Sequence, residues 1–253
     1  MAITLITGAS SGLGAALAPL MAADGDTVIL TARRRENLEE VAESIRKRGG
    51  VAVPVALDVD DPAAVAAVLA ELARTHGPVD TLVANAGIGG ETNAVGWRTA
   101  DLQRIFQTNL MGVSHCIEAV LPAMIERKRG HLVAVASLAG YGGLPGSGAY
   151  AASKAAVISL MASLRIELRH HNVAVTTLCP GFVKTPMTDK NAHSMPFLME
   201  LDVAARLMHR AIRRQRRHYA FPWQLATFAR IGRLLPHRTY DWMLRNRRVS
   251  KLE

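Results

Sequence analysis

Six short runs of β-branched and aliphatic residues recur along the chain, Ile3 to Thr7, Thr27 to Thr31, Val51 to Leu57, Val79 to Ala84, His131 to Ala136 and Val173 to Leu178, separated by longer stretches of helical character. A run that is apolar at every position, rather than at alternate ones, must be covered on both faces. Such runs alternating with helices predict an α/β chain in which a parallel sheet lies between two helix layers. With 253 residues, 49% of them hydrophobic, and no linker-like tract, the chain can bury one substantial core. Residues 1–221 are expected to form this single domain and residues 222–253 a basic, amphipathic extension.

Composition removes several classes of function. Cys116 and Cys179 sit in apolar stretches without Cys-x-x-Cys or paired His spacing, which predicts neither disulfide nor metal and fits a reducing, cytoplasmic setting. None of the nine histidines forms a His-x-x-x-His pair. The chain enters a strand at once without a basic leader, so no signal peptide is expected, and no run of about 18 apolar residues predicts a membrane span.

Directly after the first run comes Thr7-Gly8-Ala9-Ser10-Ser11-Gly12-Leu13-Gly14, opening a helix. In this position Gly8 permits a tight turn, while Gly12 and Gly14 are expected to let a pyrophosphate approach backbone amides at the positive end of the helix dipole. Pro19 inside the same helix should cost about 3 kcal/mol and kink it. The second run ends in Ala32-Arg33-Arg34-Arg35, with no acid before Glu36. Arginines at a helix start oppose the dipole, so Arg33 and Arg34 predict a 2′-phosphate partner and NADP(H) as cofactor; a solvated basic helix start is the competing reading. Asp58 and Val59 close the third run. Asp58 either receives an adenine amine or caps the helix that begins near Asp61. Asn85-Ala86-Gly87 closes the fourth run as a tight turn beside the same edge. Asn109 stands in a helical stretch that disfavours asparagine, which suggests a polar duty.

Ser137 follows the fifth run, and Tyr150 and Lys154 lie four residues apart in Tyr-Ala-Ala-Ser-Lys. On one helix, positions i and i+4 share a face, so a hydroxyl and an ammonium can converge. Ionising an ordinary tyrosine at neutral pH costs about 4 kcal/mol, which a neighbouring cation can offset. Tyr150 is then a candidate general acid or base, with Ser137 holding the same substrate oxygen. A buried helix whose Tyr and Lys only reach for solvent is the alternative.

These residues, taken jointly and in order, resemble the short-chain dehydrogenase/reductase family up to about residue 220, including Pro180-Gly181. The resemblance implies a seven-stranded Rossmann fold, Tyr150 as acid/base and Ser137 as substrate anchor. It implies Lys154 on the nicotinamide ribose, lowering the tyrosine pKa, and Asn109 holding a water that links Lys154 to solvent. Gly8, Ser10, Ser11, Gly12, Leu13 and Gly14, with Asp58, Val59, Asn85, Ala86, Gly87, Tyr150 and Lys154, would contact the dinucleotide. Pro180, Gly181 and Val183 would wrap the nicotinamide, with Thr185 near its carboxamide. Relatives are commonly homodimers or homotetramers built on the helices carrying Asn109 and Tyr150.

The predicted activity is hydride transfer between NADP(H) and a carbonyl or secondary alcohol. The methionine-rich segment 182–201, containing Met187, Met195, Pro196, Phe197 and Met199, reads as a lid over a hydrophobic substrate or as core packing. A dinucleotide-binding sensor or scaffold without turnover is the other class. Residues 1–205 carry a net charge of −2 and residues 206–253 a net +11. In the extension Leu225, Phe228, Gly232 and Leu235 fall on one helical face, Arg230 and Arg233 lie off it, and Tyr240, Met243 and Leu244 stand beside Arg245, Arg247 and Arg248. That apolar face would lie on an anionic membrane, cover the substrate cleft or pack on a partner subunit. No nucleic-acid module accompanies the charge.

Overall fold

The computed structural model describes residues 1–189 and 195–245. Residues 190–194 of the expected lid, and Arg247 and Arg248 of the extension, lie outside them. Seven strands, β1 (Ile3–Thr7), β2 (Thr27–Ala32), β3 (Val51–Ala56), β4 (Thr81–Ala84), β5 (Gly130–Val135), β6 (Val173–Pro180) and β7 (His218–Phe221), form one parallel sheet in the order β3-β2-β1-β4-β5-β6-β7. The chain therefore steps outward from β1 to β3 and then returns to lay β4 on the other side of β1. That reversal opens a crevice at the carboxyl ends of the strands.

The helices are α1 (Gly12–Ala23), α2 (Arg35–Arg46), α3 (Pro62–His76), α4 (Thr99–Phe106), α5 (Gly112–Glu126), α6 (Gly148–Glu167), α7 (Leu201–Arg213), α8 (Trp223–Leu234) and α9 (His237–Leu244). On one face of the sheet, α1, α2 and α7 pack Leu17, Leu38 and Met208 against Ile6 and Leu30. On the other, α3, α5 and α6 pack Leu69, Ile117 and Val157 against Leu5 and Leu132. Leu5 and Ile6 are neighbours that serve opposite cores, which is why the runs are apolar throughout. Each such fully buried side chain contributes about 1.5–3 kcal/mol. The seven-stranded Rossmann-type architecture expected from the sequence is the one observed.

Local departures have local causes. Helix α1 runs from Gly12 to Ala23 with Pro19 inside it. Val79 and Asp80 precede β4 rather than belonging to it, and the Asp80 carboxylate takes the Ile3 N–H at 2.9 Å and pairs with Arg127 and Arg129. The edge strand β3 contains Pro54, paired in register with Leu30. Because the Leu57 N–H points inward to the Ala32 carbonyl, Pro54 has the opposite parity and its missing N–H falls on the outer edge. On that same edge Arg46 donates to the Ala52 carbonyl at 3.1 Å.

The extension is not a free tail. Leu225, Ala226 and Gly232 of α8 turn inward, with Ala226 joining the core and Leu225 packing against it. The Tyr240 hydroxyl of α9 donates to the Gly143 carbonyl at 2.8 Å. Of the apolar residues expected to meet a membrane or a partner subunit, Leu225 and Gly232 face the chain's own domain, while Phe228 and Met243 stay exposed. Among the described residues, no helix is long and apolar enough to cross a membrane.

Candidate active site

A cleft of about 530 Å³ opens along the carboxyl ends of the strands, running from Arg33 and Arg34 past the glycine loop to Ser137, Tyr150 and Lys154. The loop can turn here because Gly8 has φ +65°, and a Cβ at that residue would stand 2.8 Å from the Ala86 Cα. The loop is tied down by Thr7, whose hydroxyl accepts the N–H groups of Asn85 at 3.0 Å and Ala86 at 2.9 Å. Asn85 completes the clamp by donating its side-chain amide to the carbonyls of Thr7 and Gly8. Asn85 therefore shapes the glycine loop with its side chain, in addition to forming the tight turn read from sequence.

Ser10, Ser11, Gly12, Leu13, Asp58, Val59, Ala86, Gly87, Pro180, Gly181, Val183 and Thr185 all line the cleft. Gly14 lies behind these lining residues. A Cβ at Gly14 would lie 2.6 Å from both the Asn85 side-chain nitrogen and the Gly8 carbonyl. A glycine at this position lets α1 press against the loop and the β4 turn. The cap of α3 is Asp61, which accepts the Ala64 N–H at 3.0 Å, while Asp58 uses one oxygen on the Asp60 N–H. Arg33 and Arg34 are exposed at the cleft's far end and form no ion pair among the described residues.

At the other end, Tyr150 and Lys154 project from successive turns of α6, with the Lys154 Nζ 5.8 Å from the centre of the Tyr150 ring. The Ser137 hydroxyl shares the cleft wall with the Tyr150 phenol and donates to the Pro180 carbonyl at 3.4 Å. Ser137 sits at the end of β5, where its Oγ also accepts the Ala139 N–H at 3.1 Å. The Lys154 Nζ donates to the Val135 carbonyl at 2.9 Å. Burial raises the Tyr150 pKa, opposed by the Ser137 hydroxyl, and burial pushes the Lys154 ammonium down to about 8. The sequence suggested that the cation would make the phenol more acidic. In the structure loss of solvent sets the direction instead, and the phenol is held above its ordinary value.

Asn109 does not line the cleft and is fully buried, in a π-helical turn (Gln107–Met111) between α4 and α5. Its Oδ1 accepts the Ile88 N–H at 2.8 Å, and its amide donates to the Ile88 carbonyl and to the Ser153 hydroxyl, both at 3.0 Å. Both amide protons are thus spent on protein partners. Ser153, Thr7 and Thr108 were not singled out from the sequence; Thr108 lines the cleft while donating to Asp60 at 2.9 Å. Among the described residues no cluster of His, Cys, Asp or Glu is arranged to hold a metal.

A nucleotide crevice ending in a Ser-Tyr-Lys cluster defines a class of oxidoreductase, and comparison with known proteins agrees. The short chain dehydrogenase family model matches residues 2–196. An uncharacterized oxidoreductase of Myxococcus xanthus is 44% identical over 237 residues, 94% of each chain. The 3-oxoacyl-acyl-carrier-protein reductase FabG of Thermotoga maritima is 37% identical over 188 residues, 74% of this chain and 76% of that one. A short chain dehydrogenase/reductase of Burkholderia phymatum, solved in complex with NAD, superimposes with a TM-score of 0.84 at 27% identity, covering 100% of this chain and 98% of its own. The chain belongs to the short-chain dehydrogenase/reductase family and is an oxidoreductase of that family.

Proposed function

We propose that this protein is an NADP(H)-dependent reductase or dehydrogenase that interconverts a hydrophobic carbonyl compound and its secondary alcohol. The observation that carries the reading is the convergence of Ser137, Tyr150 and Lys154 at one end of a cleft whose other end presents Arg33 and Arg34. The cleft suits a dinucleotide. Its glycine loop leaves backbone amides at the start of α1 accessible, and the Ser11 side chain makes no capping bond that would occupy them. Arg33 and Arg34 would take the 2′-phosphate, Ser10, Ser11 and Gly12 the pyrophosphate, and Asp58 and Val59 the adenine. Asn85, Ala86, Gly87, Pro180, Gly181, Val183 and Thr185 would border the nicotinamide half. When bound, the nicotinamide supplies or accepts the hydride.

In reduction, Tyr150 gives its hydroxyl proton to the substrate oxygen as the carbonyl carbon gains a hydride, yielding the alcohol. Ser137 donates its one hydroxyl proton to the same oxygen. Lys154 then faces an anion, which favours its charged form against the burial that otherwise depresses it. The raised Tyr150 pKa suits this direction, since the resting group is already a proton donor. Oxidation reverses each transfer. Asn109 acts behind the site, holding the Ile88 turn and α6 together.

A hydrophobic substrate is supported by the substrate-side walls, where Ile88, Pro186 and Met187 line the cleft. The segment holding Met187 is pinned at both ends by Lys184 and Phe182 pairing with Met199, as a lid on two hinges would be. The free, buried thiols of Cys116 and Cys179 support a cytoplasmic setting. Exposed Met111 and Ile166, on the helical layer carrying Asn109 and Tyr150, support a homodimer or homotetramer. The test is Tyr150→Phe. NADPH oxidation with a panel of apolar ketones and aldehydes should fall by at least about a thousandfold while NADPH binding by titration stays within about twofold. Retained turnover would remove Tyr150 from the chemistry and the reading with it.

A further inference from the structure

With one side of α8 packed on its own domain, the opposite side should be polar. It is not. Trp223, Thr227 and Ile231 follow each other at four-residue spacing, Leu234 completes the stripe, and the exposure of its apolar members runs from 51% at Ile231 to 85% at Leu234. Phe228 adjoins them, and α9 adds exposed Trp242 and Met243 beyond the inward-turned Tyr240. A helix apolar on both sides has buried one of them and left the other exposed among the described residues.

The charges around this stripe say what fits it. Residues 203–240 contain nine arginines and no aspartate or glutamate. Arg233 and Arg238, on and just beyond α8, form no ion pair among the described residues, and the Arg245 guanidinium lies 5.1 Å from the centre of the Trp242 ring. Such a surface needs an apolar medium and anions within one side-chain length of each other. A bilayer interface with acidic headgroups supplies both, with acyl chains below and phosphates above, and tryptophan and arginine are suited to that boundary. A second copy docked through the same face would set these arginines against one another, which disfavours it.

We propose that α8 and α9 dock the protein on an anionic membrane surface through Trp223, Ile231, Leu234 and Trp242, with Arg233 and Arg238 on the headgroups. The mouth of the cleft is close by. Phe228 stacks on Phe197 of the lid segment, ring centres 6.4 Å apart and planes 23° from parallel. Docking therefore brings the lid to the bilayer, so that an apolar substrate dissolved in lipid reaches the cleft without crossing water. This last step rests on the hydrophobic-substrate reading; the docking itself does not.

The full-length protein is sedimented with phosphatidylcholine vesicles that contain either no phosphatidylglycerol or about one-third of it. Binding is expected to the anionic vesicles alone and to weaken severalfold as salt rises from about 50 to about 500 mM. Trp223→Ser/Ile231→Ser/Leu234→Ser should weaken it by at least about tenfold while NADPH binding, the check on folding, is retained. Arg233→Gln/Arg238→Gln, with every apolar residue in place, should weaken it severalfold and serves if the triple variant does not fold. No binding to anionic vesicles, equal binding to neutral ones, or binding unchanged in the folded variants overturns the proposal. So does a wild-type oligomer that the triple variant alone dissociates, which would assign the face to a second copy. Failure here leaves the oxidoreductase reading intact, and failure of turnover leaves vesicle binding intact.

Discussion

The Asn109 side-chain amide donates to the Ser153 hydroxyl across 3.0 Å, joining the π-helical turn between α4 and α5 to the helix that carries Tyr150 and Lys154. Ser153 passes its own proton to the Tyr150 carbonyl at 2.8 Å, so the two residues form a strut directly behind the proposed acid. Neither side chain lines the cleft. Their effect on chemistry is to hold the tyrosine in place.

Ser153→Ala leaves a buried Asn109 N–H without an acceptor, which should cost about 1–3 kcal/mol of stability in urea denaturation. Because the strut positions Tyr150, kcat should fall severalfold or more with KM for NADPH nearly unchanged. Wild-type stability and kcat in the variant would show that the strut carries no load.

Arg33 and Arg34 divide the two nicotinamide cofactors. Charge-assisted hydrogen bonds of about 1.5–3 kcal/mol each imply that Arg33→Ala/Arg34→Ala weakens NADPH binding by one to two orders of magnitude, read by calorimetric titration. NADH affinity should change by less than about threefold. Equal losses for both would mean that the arginines meet a group common to the two molecules.

His131, buried on β5 with its Nε2 2.8 Å from the Thr176 hydroxyl, is pushed down to about 4 by burial and by Arg213. In the unfolded chain an imidazole takes its proton near about 6.5, so between those values the unfolded state binds more protons than the folded one. Stability is therefore lost as pH falls through that window, by about 2 kcal/mol from this residue between pH 7 and pH 5. His131→Gln keeps a polar partner for Thr176 and cannot titrate. Chemical denaturation at the two pH values should show the loss reduced in the variant; an identical loss would place the acid sensitivity elsewhere.

Six strands could be read from the sequence because a parallel strand buried on both faces is apolar throughout. The seventh could not. His218–Phe221 is four residues long, half-exposed and preceded by arginines, so it was implied only by the family resemblance. The Tyr150–Lys154 pairing was visible because helical spacing places them on one face, and Asn109 was visible because asparagine is a poor helix former. Ser153 was hidden, since a serine among alanines in a helix looks neutral until its neighbour's unpaired donor is seen. Gly14 was legible as a necessary glycine, while its packing against Asn85 and Gly8 was not, because pyrophosphate approach and helix packing make the same demand on a side chain. The outward stripe of α8 was masked by the inward one, since polar Thr227 interrupts its four-residue spacing.

Pro54 and Arg46 have a consequence for how copies of this chain can meet. Along the outer rim of β3 one amide is missing and one carbonyl is already engaged, so an incoming strand finds too few places to bond. Growth of the sheet from molecule to molecule, the route to fibrous aggregates, is blocked at that end, and assembly is steered toward contacts made by side chains on helices.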